Sequence, residues 1–163
     1  MICACTLQAT ATGKQPRLTD DELMTLVQKQ TFRYFWDFAH PESGLARERS
    51  NDRLEIATIG GSGFGVMAII VGVERGFITR EQGAERLLKI VEFLNKADSY
   101  HGIWAHWMDG ATGKTIPFSR KDDGADLVES AFMFEGLLAA HQYFTHDNPT
   151  ENRIRGLINT LWH

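Results

Sequence analysis

Apolar residues recur at helical spacing along this chain, and the helices they predict are of two kinds. The first helix starts near Thr19, where Thr19 and Glu22 form a capping box. It carries Leu23, Leu26, Val27, Phe35 and Phe38 at helical spacing, and Pro41 lies just beyond it. A second follows Gly60-Gly61-Ser62-Gly63 and runs through Val66-Met67-Ala68-Ile69-Ile70-Val71 to Gly76. It is apolar nearly all round, so the expectation is burial on every side. A third starts at Thr79, with Gln82 completing a capping box, and ends near Ala97. Leu87, Leu88, Val91 and Leu94 share one of its faces, with Arg80, Glu85, Lys89 and Glu92 elsewhere. A fourth, from about Asp126 to Tyr143, is again apolar on most sides. A fifth begins near Pro149 with Asn148 as its cap and still continues at His163. The pattern predicts no strand.

The order outer, inner, outer, inner implies helical hairpins. Loops leading into the two apolar helices are long, residues 40–59 and 98–125, whereas those leaving them are short. Antiparallel hairpins then place both long loops at one end of the assembly, and long loops in compact domains are usually functional. The stretch from Gly60 to Thr79 also resembles Asp126 to Thr145 in layout. The fold class is therefore all-α, with helical hairpins forming part of a toroid that is incomplete in this chain. The domain expectation is a leader over residues 1–18 and one helical unit over 19–163.

Composition narrows the function classes. With 17 basic and 21 acidic residues and no basic stripe, nucleic acid is not an expected partner. No apolar run approaches the roughly 20 residues of a membrane span. Both cysteines, Cys3 and Cys5, lie in the leader, which excludes a disulfide framework or a cysteine-ligated zinc site in the body. Ile2-Cys3-Ala4 before Cys5 fits the end of a lipoprotein signal with a lipid on Cys5, and fits a plain leader equally well.

The chemistry concentrates ahead of the fourth helix. Asp122, Asp123, Asp126 and Glu129 stand at its mouth, and Asp122, Asp126 and Glu129 fall on one face if the helix starts early enough. Crowding raises the proton affinity of such carboxylates and a helix N-terminus lowers it, so they are candidates for general acid and base. The alternative is that Asp122, Asp123 and Asp126 are solvated caps. Glu129 sits deeper, where a bare carboxylate is costly. Trp104, His106 and Trp107, in the loop Tyr100 to Trp107, suit a platform on which sugar rings stack; the alternative is a loop that folds its rings into the core. Arg47 and Arg49 alternate with Glu48 and are candidates for binding hydroxyls, or else form a salt-bridged loop. Asp122 to Asp126 also matches the DDxxD magnesium–diphosphate motif of class I terpene synthases, which Gly124 interrupts. A metal site on His101 and His106 lacks a recognised ligand spacing. The run Gly60 to Gly65 is no phosphate loop, because no strand precedes it and no Lys-Ser/Thr follows.

The chain resembles the bacterial glucoamylase-like proteins, the family that includes endo-β-1,2-glucanases. The resemblance rests on Gln30–Trp36, Gly44–Arg49, Thr58–Gly65, Glu74-Arg75-Gly76, Trp104–Trp107, Lys121–Gly124 and Asp126–Glu129, in order. It implies the N-terminal portion of an (α/α)6 toroid that takes over twice this length. It implies an inverting glycoside hydrolase acting on β-1,2-glucan or a related glucan, with no cofactor and no metal, in the periplasm or on the outer membrane as a lipoprotein. By that resemblance the catalytic acids fall on Asp122, Asp126 and Glu129; the residue reading adds Arg47, Arg49, Trp104, His106, Trp107 and Asp123 as binding substrate. A non-catalytic glycan-binding module or an inactive fragment is the alternative. Oligomeric state stays open.

Overall fold

The computed structural model describes residues 17–51 and 53–163; the leader cysteines lie outside them. Five helices dominate, and the three outer ones begin where local capping chemistry dictates. In α1 (Asp20–Trp36) the Thr19 hydroxyl accepts from the Glu22 N–H, and the Glu22 carboxylate accepts from the Thr19 N–H. Thr79 and Gln82 repeat that box at the start of α3 (Arg80–Leu94). Asn148 caps α5 (Pro149–Trp162), with proline in its first turn.

The two apolar helices, α2 (Ile59–Glu74) and α4 (Leu127–Tyr143), lie side by side and parallel. Gly60 bonds Glu129 near one end and Tyr143 bonds Glu74 near the other, each pair 69 residues apart. The repeat in layout read from the sequence is thus a repeat in space. Close approach requires glycine here. A methyl group on Gly63 would collide with the Phe132 carbonyl, and one on Gly136 would sit 2.5 Å from the Gly63 oxygen. On the outside, α1 runs antiparallel along α2, with Phe32 against Gly72 and Phe35 against Gly65. Leu87, Ile90, Val91 and Leu94 of α3 and Ile154 and Ile158 of α5 complete the core against Val66, Ile69, Met133 and Leu137. Each side chain so buried contributes about 1.5–3 kcal/mol. Arg80 and Glu151 tie α3 to α5 through two hydrogen bonds of 2.9 Å.

Three expectations need correction. Strands do form: β1 (Ile56–Thr58), β2 (Trp107–Asp109) and β3 (Thr115–Ile116) make an antiparallel sheet in the order β1-β2-β3. Segments of two or three residues are too short to show an alternating pattern. The sheet joins the two long loops, with Ile56 opposite Asp109 and Thr58 opposite Trp107, so both loops do meet at one end. The inner helices are not buried on every side. Phe64, Met67 and Val71 of α2 and Leu127, Val128, Phe132 and Leu138 of α4 are exposed, with Phe64 and Phe132 in ring contact at 5.2 Å. The apolar pattern is that of an inner helix, but the outer helices cover only part of its circumference. Finally, Leu23, Leu26 and Val27 are exposed, because α1 packs through its C-terminal half. Among the described residues, no helix is long and apolar enough to cross a membrane.

Candidate active site

The site forms where the two long loops meet the first turns of α2 and α4. The second loop is pinned before it reaches the acids. Lys114 and the Thr115 N–H bond the Asp98 carboxylate and hold it below its usual range. His101 and Gly102, both at positive φ, turn the chain between Tyr100 and Ile103. His101 and Gly102 of this turn face the C-terminal ends of α3 and α5, and among the described residues His101 is not part of the acidic cluster. Trp104 is then fastened to α4: its N–H donates to the Ser130 hydroxyl at 3.0 Å and its carbonyl accepts the Asp126 N–H at 2.8 Å.

That fastening corrects the platform expectation for Trp104. Its ring is 1% exposed and packs on Phe134 at 5.0 Å, with no face left for a sugar. Trp107 is also largely buried; Phe118 lies against its ring at 4.6 Å and Arg53 approaches at 5.8 Å. The rings of this loop serve mainly as packing. His106 remains half-buried at the edge of the site, stacked on Phe118 at 4.3 Å.

The acids are gathered, but not by a common helical face. Asp126 is the N-cap of α4, so the helix begins only at Leu127. Asp122 lies earlier, closing a turn with Ser119, and Asp123 and Gly124 are exposed between them. An aspartate is a strong N-cap, which fixes the helix start after Asp126 rather than before Asp122. The loop nonetheless folds Asp122 back: His106, Asp122 and Asp126 place one ligand atom each within 4.8 Å of one another. The DDxxD reading requires a continuous helix through Asp122 and Asp123, and that helix is absent.

Both oxygens of Asp126 are engaged. One oxygen accepts from the Val128 and Glu129 N–H groups at 2.9 and 3.0 Å, and the other meets His106 Nδ1 at 3.2 Å. Glu129 turns one oxygen toward α2, where the Gly60 N–H donates at 2.9 Å. That N–H belongs to a first helical turn and lacks an intrahelical partner, so it favours a carboxylate. The second Glu129 oxygen and the Asp122 carboxylate have no hydrogen bond among the described residues. Gly60 is required for this contact, because any Cβ there would occupy the carboxylate's place.

The arginines divide. Arg47 is structural: it donates to the carbonyls of Leu54 at 2.8 Å and Phe38 at 3.3 Å, and lies 4.7 Å over the Phe38 ring. Two of its five donors are spent on the backbone, so it packs the loop first of all. Arg49 is exposed, 3.8 Å from Glu48, and borders a cavity of about 190 Å³ with Glu48, Arg53 and Trp107. Sequence reasoning missed Phe118, Arg53 and the specific part of Gly60. A lone aromatic after Pro117 in a polar loop was the available signal for Phe118, and the glycine run was that for Gly60.

No family model matches the chain. It is 53% identical over 146 residues to an exo β-1,2-glucooligosaccharide sophorohydrolase of Parabacteroides distasonis, covering 89% of this chain and 20% of that protein. Among solved structures, a candidate glucoamylase from Bacteroides uniformis matches with a TM-score of 0.89 and 83% identity, over 91% of this chain and 36% of the other. An endo-β-1,2-glucanase from Chitinophaga pinensis, in complex with sophorotriose and glucose, matches with a TM-score of 0.86 and 52% identity, over 90% and 37%. The chain therefore spans from a fifth to just over a third of these relatives.

Proposed function

This chain belongs to the bacterial glucoamylase-like family, and on that premise we propose that it forms part of a glycoside hydrolase that cleaves β-1,2-glucan by acid/base catalysis. The observation that carries the reading is the clustering of His106, Asp122 and Asp126, with Glu129 on the first turn of α4 reaching the Gly60 N–H, where both long loops meet the starts of α2 and α4. Asp126, with both oxygens engaged, positions the loop and His106. Glu129 and Asp122 each keep carboxylate oxygen for the reaction. One protonates the departing glycosidic oxygen, and an opposing carboxylate takes a proton from the attacking water. An inverting course needs the two about 6.5–9.5 Å apart, with the water between them. Arg49, Trp107, His106 and Asp123 are the substrate-binding residues of the proposal. Residues 19–163 form one portion of the catalytic domain behind a leader over 1–18. A place in the cell envelope, with a lipid on Cys5, rests on the residues around that cysteine; labelled palmitate on the protein, lost in Cys5→Ser, tests it.

Glucan recognition by the chain itself is testable by affinity electrophoresis. Gels containing linear β-1,2-glucan are expected to retard it, and gels with β-1,3- or β-1,4-glucan are not. Equal migration in all of them would remove the glucan reading.

A further inference from the structure

We infer that Ser130 is a positioning residue for the acids, and that its hydroxyl belongs to a latch built twice in this chain, once at the start of each inner helix. The inference rests on the glucan reading above and adds to it a residue whose hydroxyl bonds the Trp104 backbone. In the second long loop the Trp104 N–H donates to the Ser130 hydroxyl at 3.0 Å, and the Trp104 carbonyl accepts the N–H of the α4 cap, Asp126, at 2.8 Å. In the first loop the Ala46 N–H donates to the Ser62 hydroxyl at 2.9 Å, and the Ala46 carbonyl accepts the N–H of the α2 cap, Thr58, at 3.0 Å. Each serine is the fourth residue of its helix, and both are buried. Each latched residue stands two after a glycine at positive φ, Gly44 at +77° and Gly102 at +78°. The residue after it bridges to the one before the cap, Arg47 to Ala57 and Ala105 to Ala125. Two segments of different sequence thus build one arrangement. Serine suits it, because a small hydroxyl both accepts and donates and so satisfies a buried loop N–H.

The two latches hold different cargo. At the first, the cap is Thr58, which makes no side-chain cap bond among the described residues, and Gly61 stands third in the helix. At the second, the same places carry Asp126 and Glu129. Two residues beyond Ala46 lies Glu48, beside Arg49; two beyond Trp104 lies His106, whose Nδ1 meets Asp126 at 3.2 Å. The latch therefore exists without acids, and at α4 it sets the register of the loop that faces them. Without the Ser130 hydroxyl the buried Trp104 N–H has no partner, and the loop must shift to find one. That shift carries His106 off Asp126 and disturbs the cap whose N–H the Trp104 carbonyl holds. Without the Ser62 hydroxyl, the segment released is the one that bears Arg49.

Because the bonds match and the cargo does not, Ser130→Ala and Ser62→Ala form a matched pair. The test uses a chimera in which this chain replaces the matching part of the Bacteroides uniformis protein, 83% identical to it. Each variant should lower Tm alike, by about 2–4 °C. On linear β-1,2-glucan, Ser130→Ala should lower kcat about 10- to 100-fold, the scale set by a small misplacement of reacting groups. Ser62→Ala should hold kcat within about twofold and raise KM, the mark of lost substrate binding. Ser130→Cys keeps the volume with a weaker acceptor, and its kcat should fall between Ser130→Ala and the native chain. If both alanine variants lose Tm and keep kcat, or lose kcat equally, the latches serve packing alone: the inference fails and the glucan reading stands. A native chimera inert on β-1,2-glucan would remove the glucan reading, and the role of Ser130 with it.

Discussion

Glu129→Gln is expected to reduce the turnover of linear β-1,2-glucan by about 10²–10⁴-fold, the usual contribution of a general acid or base. The measurement is best made in a chimera in which this chain replaces the matching part of the Bacteroides uniformis protein, to which it is 83% identical. The substitution preserves shape, and the glutamine carbonyl can still accept the Gly60 N–H that now meets the carboxylate at 2.9 Å. Helix packing at Gly63 and Gly136 is untouched. What is lost is the ability to exchange a proton, so kcat should fall while the thermal melt holds. A lowered melting temperature with turnover per folded molecule retained would instead make Glu129 a structural carboxylate that locks α4 to α2.

The second large effect is on stability. Glu151 is buried at the start of α5, paired with Arg80 and bonded by the His146 N–H and the Asn148 side chain. Burial pushes its carboxyl up, but these hydrogen bonds and the Arg80 charge outweigh burial and hold the pKa at about 2. Glu151→Ala leaves Arg80 without its partner, and breaking a buried pair costs about 3–5 kcal/mol. For a chain of this size that lowers Tm by roughly 10 °C. The pH dependence follows from the sign of the shift. A depressed carboxylate contributes in full above its unfolded value, near 4.5, and loses that contribution as pH falls through about 2. The stability gap between the native chain and Glu151→Ala should therefore be widest at neutral pH and shrink by about 3 kcal/mol across that window. Denaturant unfolding at pH 7, 4.5 and 2.5 measures it, and a gap independent of pH would contradict the ion pair.

What was legible in the sequence is what local chemistry decides. The capping boxes at Thr19 and Thr79 and the Asn148-Pro149 start needed only neighbours three residues away, and all three helices begin there. The inner and outer character of the helices and the meeting of the long loops followed from pattern and loop length. The strands did not, because Ile56–Thr58 acquires its meaning only from Trp107–Asp109, far along the chain. The site was legible as a composition of acids and less so as an arrangement. Asp126 as a cap is local and was foreseen as an alternative; its bond to His106, and that of Glu129 to Gly60, depend on the register of α4 against α2. A tryptophan offers the same apolar surface to a sugar and to a core. Nothing at Trp104 revealed that Ser130 would pull it inward. Arg47 does bridge to Ala57, but the alternation of Arg47 and Arg49 did not reveal that Leu54 and Phe38 carbonyls would accept from Arg47.

The most direct measurement of the central claim is the release of reducing ends from linear β-1,2-glucan by the chimera, beside β-1,3- and β-1,4-glucans. Release from the β-1,2-linked polymer alone, abolished by Glu129→Gln, is the expected result. A folded chimera that releases none, or one whose activity survives Glu129→Gln intact, would contradict it.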